Sequence, residues 1–75
     1  MDQLIAILSD IRSDVDFTKE QNLVDEGILA SFDIIAIVSE LNDAYGVSIG
    51  VEDLVPDNFN SAERMLNLIE RLKSE

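Results

Sequence analysis

The segment from Ser31 to Tyr45 sets the tightest limit on the architecture of this 75-residue chain. At 100° per residue, Ile34, Ile35, Ile37, Val38, Leu41, Ala44 and Tyr45 cover about half of a helical wheel. Asp33, Ala36, Glu40 and Asp43 form a narrow stripe opposite. So wide an apolar arc implies contact with more than one neighbour and predicts a central helix. Gly46, directly after it, suits a left-handed residue closing the helix. A helix is also predicted from about Asp2 to Ser13, with Leu4, Ile5, Leu8, Ile11 and then Val15 on one face. Asp2 favours its start, and Gln3, Ser9, Asp10 and Arg12 take its outer side. The last helix is predicted to open at an Asn60 or Ser61 cap and to run to about Lys73. Ala62, Met65, Leu66, Ile69 and Leu72 form its inner face, and Arg71 and Lys73 complement the dipole at its end.

Between these helices the periodicity fails. Ser13 to Ala30 is polar, with Phe17, Leu23, Val24, Ile28 and Leu29 as apolar anchors and Gly27 as a turn residue. Ordered loops of this length are usually functional. Val47-Ser48-Ile49 is a short extended link, Val51 to Val55 makes about one helical turn ended by Pro56, and Phe59 plugs the core. Three Gly and one Pro supply few turns, which disfavours a many-stranded β architecture. The predicted fold is all-α: one domain, residues 1–75, a small bundle of three to four helices with a long loop between helices 1 and 2.

Composition narrows the function. Leu, Ile, Val and Phe make up 27 of the 75 residues, enough for a packed core. The net charge is −11, and between Glu20 and Glu63 there are ten acids and no Lys or Arg. Such a surface repels phosphate backbones and anionic lipid heads, which argues against nucleic-acid and membrane binding and favours basic protein partners. There is no Cys or His, so the usual nucleophilic thiol, general base and metal ligands are missing. No apolar run approaches a membrane span, and the first residues lack the basic start of a signal peptide. These features predict a monomeric cytoplasmic domain that is not an enzyme.

Asp25-Glu26-Gly27-Ile28-Leu29-Ala30-Ser31-Phe32 places a hydroxyl where the long loop enters the central helix. Capping preference alone makes Ser31 the N-cap. The stretch also resembles the attachment motif of acyl carrier and peptidyl carrier proteins: a Gly, two apolar residues, then Asp-Ser-Leu or Asp-Ser-Phe. The similarity runs from about Leu4 to Leu72. It takes in Phe32-Asp33-Ile34-Ile35-Ala36-Ile37-Val38-Ser39-Glu40-Leu41, Tyr45-Gly46-Val47-Ser48-Ile49, Glu52-Asp53-Leu54 before Pro56, and Asn58-Phe59-Asn60-Ser61.

The resemblance implies a helical bundle of acyl-carrier-protein type. It also implies that Ser31 receives 4′-phosphopantetheine from coenzyme A, so that acyl or aminoacyl groups ride on the added thiol as thioesters. It further implies that Phe32, Asp33, Glu40 and Asp43 dock partners. Those partners would be a phosphopantetheinyl transferase, an acyl- or aminoacyl-activating enzyme, and a downstream transferase or synthase. The setting would be fatty acid, polyketide or nonribosomal peptide biosynthesis. Ala36, Asn42 and Ala44 leave the central helix less acidic than in many fatty-acid carriers. The family's acid before the serine is Ala30 here.

The alternative from the residues alone is an unmodified acidic helical module for protein–protein interaction. A calcium loop fits less well. Asp14, Asp16, Thr18, Glu20, Asn22 and Asp25 fall at ligand spacing, but Lys19 stands where the loop needs Gly, and Asp25 where it needs Glu.

Overall fold

The computed structural model describes residues 2–74 and is helical, with no strand among the described residues. Helix α1 spans Asp2–Ile11, α2 Ser31–Tyr45, α3 Pro56–Phe59 and α4 Ala62–Lys73, with a 3₁₀ turn at Val51–Asp53. The core joins Leu4 and Leu8 of α1, Ile37 and Leu41 of α2, Phe59 of α3, and Ala62, Met65, Leu68 and Ile69 of α4. Phe17, Leu23 and Leu29 enter it from the long loop, which is pinned to the bundle as its apolar anchors predict. The accessible surface is 4536 Å², against about 4,600 Å² for a folded chain of this mass. The chain is therefore as compact as a folded protein of its mass.

Several local devices follow the sequence. Gly46 closes α2 at φ 65°, with its N–H bonded to Asn42 O. Ser61 caps α4, its hydroxyl accepting from Arg64 N–H at 3.2 Å. At the far end of the bundle, Lys73 of α4 lies 5.7 Å from the centre of the Tyr45 ring of α2.

Three expectations are corrected. Pro56 does not end a helical turn; it opens α3, where its fixed φ and missing N–H suit a first helical position. Leu68 is a core residue of α4, beside the inner face read from periodicity. And the apolar arc of α2, whose main helix neighbour is α1, is only partly covered: Ile35 is 65% exposed, and Ala44 is exposed.

Both ion pairs among the described residues belong to Arg12, so most of the acidic charge has no local counter-ion. The molecule measures 32 × 24 × 19 Å. At 10 mM ionic strength the screening length is about 30 Å, so its acids repel one another across the whole body. Raising sodium chloride from 10 mM to 0.5 M should therefore raise the melting temperature by about 5 °C, a shift worth about 1 kcal/mol in a domain of this size. Calorimetry across that salt range checks this. A flat or falling melting temperature would mean that the charges are compensated in some other way.

Candidate functional site

The entrance to α2 is built by the loop before it. Leu23 N–H bonds Asn60 O, and Leu29 N–H returns to Leu23 O, each at 2.9 Å. The reversal between them turns on Gly27, whose φ of 74° is open to glycine and costly to a side chain bearing Cβ. Leu29 then drops into the core and Ala30 emerges from it in extended conformation, φ −90° and ψ 172°. The chain turns helical at Ser31.

Ala30, rather than Ser31, is therefore the N-cap, and the expectation that Ser31 caps the helix is corrected. The boundary is fixed from inside the helix. Asp33, in the third helical position, reaches back so that its Oδ2 accepts the Ala30 N–H at 3.0 Å. This is half of a capping box. Ala30 has no side-chain acceptor with which to make the other half, so the first-turn N–H groups that a polar cap would engage are left open. Ser31 itself is exposed in the first helical position, where its hydroxyl is not used for capping.

Asp33 carries a second load. Arg12, one residue past α1, donates through Nη1 to Asp33 Oδ2 at 2.8 Å and to Ile28 O at 3.0 Å. Its Nε and Nη2 grip Asp14 Oδ1 and Oδ2 at 3.0 and 2.9 Å. Hydrogen bonds from Arg12 hold the Asp14 carboxyl below the usual carboxylate range. The Arg12 guanidinium is raised in turn, first by its bond with Asp14 and then by the charges of Asp14 and Asp33. Asp16 is lowered by the hydroxyl and N–H of Thr18. Asp14 and Asp16 thus serve local turns, and no group of three or more acids among the described residues is arranged to hold a metal ion.

The four residues expected to dock partners divide. Phe32 is 81% exposed, and Glu40 and Asp43 are exposed on α2. Asp33 is not part of that stripe: only 16% of its side chain is accessible, and it is turned toward Arg12. On the other flank of Ser31, a cleft of about 310 Å³ opens between Val24, Ile34 and Ile35 on one side and Leu54, Val55 and Pro56 on the other, with Ser31 in its lining. Ile35, Leu54 and Val55 are exposed there. A cleft of about 420 Å³ between the start of α1, Phe17 and the start of α4 shares no residue with this site.

Arg12 and Asn60 are the residues that periodicity misplaces. Arg12, read as an outer-face residue, instead ties α1 to the start of α2. Its one visible signal is its position as the first base in an acidic chain, between Asp10 and Asp14. Asn60, read as a possible cap, is a buried latch on the loop. Its Oδ1 accepts the N–H groups of Val24 and Asp25, at 2.9 and 3.0 Å.

The cap register gives Ala30→Asp a defined effect. An Asp at residue 30 supplies the missing acceptor and should stabilise the helix start by about 0.5–1 kcal/mol. Thermal melts of the two forms check this, and equal melting would contradict it.

No protein-family model matches the chain, and no curated protein matches it at the level that marks a relative.

Proposed function

We propose that the chain is a thioester carrier whose Ser31 receives 4′-phosphopantetheine from coenzyme A. The observation that carries this is the state of Ser31. It is a serine at the head of a helix, exposed, spared from capping, and set beside unclaimed N–H groups and an apolar cleft. The positive end of the α2 dipole and those N–H groups suit a phosphodiester. Val24, Ile34, Ile35, Leu54 and Val55 offer an apolar wall to the arm. Once attached, the group supplies the thiol that a chain without Cys lacks, and acyl or aminoacyl groups are held there as thioesters.

In the loading step, Ser31 Oγ attacks the phosphorus of the coenzyme A diphosphate that bears the pantetheine. A new O–P bond forms there. The bond from that phosphorus to the bridging oxygen breaks, and adenosine 3′,5′-bisphosphate leaves with the electron pair. The serine proton must pass to a base on the transferase. The chain has no His, and Asp33 is held by Arg12. Phe32, Glu40 and Asp43 form the face that meets the transferase, the acyl- or aminoacyl-activating enzyme and the enzyme that unloads the thioester. Basic surfaces on those partners would be drawn to it.

Incubation with coenzyme A and a broad-specificity phosphopantetheinyl transferase, followed by intact mass measurement, tests the proposal. One phosphopantetheine should be added to the chain and none to Ser31→Ala. The exposed Phe32 and Ile35 beside Glu40 and Asp43 also favour a second reading, an unmodified module that docks a basic protein. Absence of any added mass with several competent transferases, on both this chain and Ala30→Asp, would favour that reading.

A further inference from the structure

We propose that Arg12 is a positioning residue for the loading of Ser31. It holds the first turn of α2 in place through Asp33 and cancels the negative charge that Asp33 brings to that turn. The inference rests on the carrier reading above.

Four hydrogen bonds leave the Arg12 guanidinium, and they join three separate parts of the chain. Its backbone N–H bonds Leu8 O at 2.9 Å, so the side chain starts from a fixed point at the end of α1. Through Ile28 O it holds the segment that leads into the helix. Through Asp33 it reaches across 21 residues of sequence to the helix itself. Asp33 Oδ2 then accepts the Ala30 N–H, so that Arg12, Asp33 and the Ala30 amide form one relay on either side of Ser31. The planar fork of arginine fits this set of acceptors, whereas a lysine ammonium reproduces its charge without its geometry.

The charge matters as much as the geometry. Coenzyme A presents an anionic diphosphate to Ser31, and Asp33 lies two residues away in the same turn. Unpaired, Asp33 would repel that group and offset the helix dipole. The Arg12–Asp33 pair is the more sheltered of the two ion pairs, with 29% and 16% of its side chains accessible, against 66% for Asp14. It is accordingly less screened by water and salt than the pair with Asp14. Arg12 faces the acids and acts on Ser31 through them.

The test measures steady-state loading by the transferase with the full chain as the varied substrate. It compares Arg12→Gln, Arg12→Lys, Asp33→Asn and the double variant Arg12→Gln/Asp33→Asn. Native-state hydrogen exchange at the Ala30 amide, with the Leu41 amide as reference, reports on the relay independently of loading. Arg12→Gln should lower kcat/KM for loading about tenfold and speed exchange at Ala30 while leaving Leu41 protected. Arg12→Lys should recover part of the loading. Asp33→Asn in the Arg12→Gln background should also recover part of it, because the unpaired carboxylate is gone.

Loading of Arg12→Gln within about twofold of the parent would overturn the proposal. So would a loss that neither Arg12→Lys nor Asp33→Asn reduces, or one accompanied by faster exchange at Leu41. Failure of the parent chain to load is a different result, and it would overturn the carrier reading and this inference together.

Discussion

Asn60→Ala is expected to destabilise the protein by about 2–4 kcal/mol, a large share of the roughly 4–11 kcal/mol that holds a 75-residue domain together. Asn60 is 4% exposed. Its side-chain oxygen is the acceptor for two backbone N–H groups, those of Val24 and Asp25, and its amide donates to Asp25 Oδ2 at 3.2 Å. Truncation strands both N–H groups in a partly buried turn, where water replaces the lost acceptor poorly. The bond from Leu23 N–H to Asn60 O survives, because it uses the backbone.

Urea denaturation followed by circular dichroism should show a lower midpoint at unchanged slope. A loss below about 0.5 kcal/mol would mean that the loop is not held by this latch. Asn60→Asp separates hydrogen bonding from packing, since it keeps the acceptor but sets a carboxylate against Asp25. A smaller loss for Asn60→Asp than for Asn60→Ala would show that the acceptor, rather than packing, carries the latch.

Ser31→Ala is the second large effect, and it is confined to chemistry. The substitution should abolish loading, because no other atom at the head of α2 can accept the phosphoryl group. It should leave the unfolding free energy within about 0.5 kcal/mol of the parent, because Ser31 is exposed and Ala30 occupies the cap. If Ser31 were the cap, as the bare sequence suggests, its removal would cost about 1 kcal/mol. The same pair of measurements therefore tests the function and the cap register. An adduct on Ser31→Ala would move the site to another hydroxyl.

Much of this fold was legible because helices write their buried faces at a fixed period. Leu4 and Leu8, Ile37 and Leu41, and Met65 and Ile69 are buried at their expected spacings. Gly46 and Ser61 carry helix-end signals strong enough to stand alone. Periodicity assigns a residue to a face without saying what covers that face. Ile35 thus belongs to the apolar arc of α2 and still meets solvent. Pro56 was ambiguous because the same ring that stops one helical turn begins another.

The site was legible only in part, for a related reason. Ser31 stands out from its local motif, but the register of its helix depends on Asp33 reaching back to Ala30, and Asp33 is itself held by Arg12 from the end of another helix. Local preference favours serine over alanine as a cap, yet Ala30 takes that place, its N–H held by Asp33, which pairs with Arg12 from 21 residues away. Asn60 is hidden in the same way, since its partners lie in the first loop.

The central claim is that Ser31 is an attachment point, and localisation of the adduct tests it most directly. After incubation with coenzyme A and a broad-specificity transferase, cleavage at Lys19 and Arg64 releases one peptide that contains Ser31 together with Ser39, Ser48 and Ser61. Fragmentation of that peptide should place a single phosphopantetheine on Ser31. An adduct on any other serine, or an unmodified peptide after treatment with several competent transferases, would contradict the account.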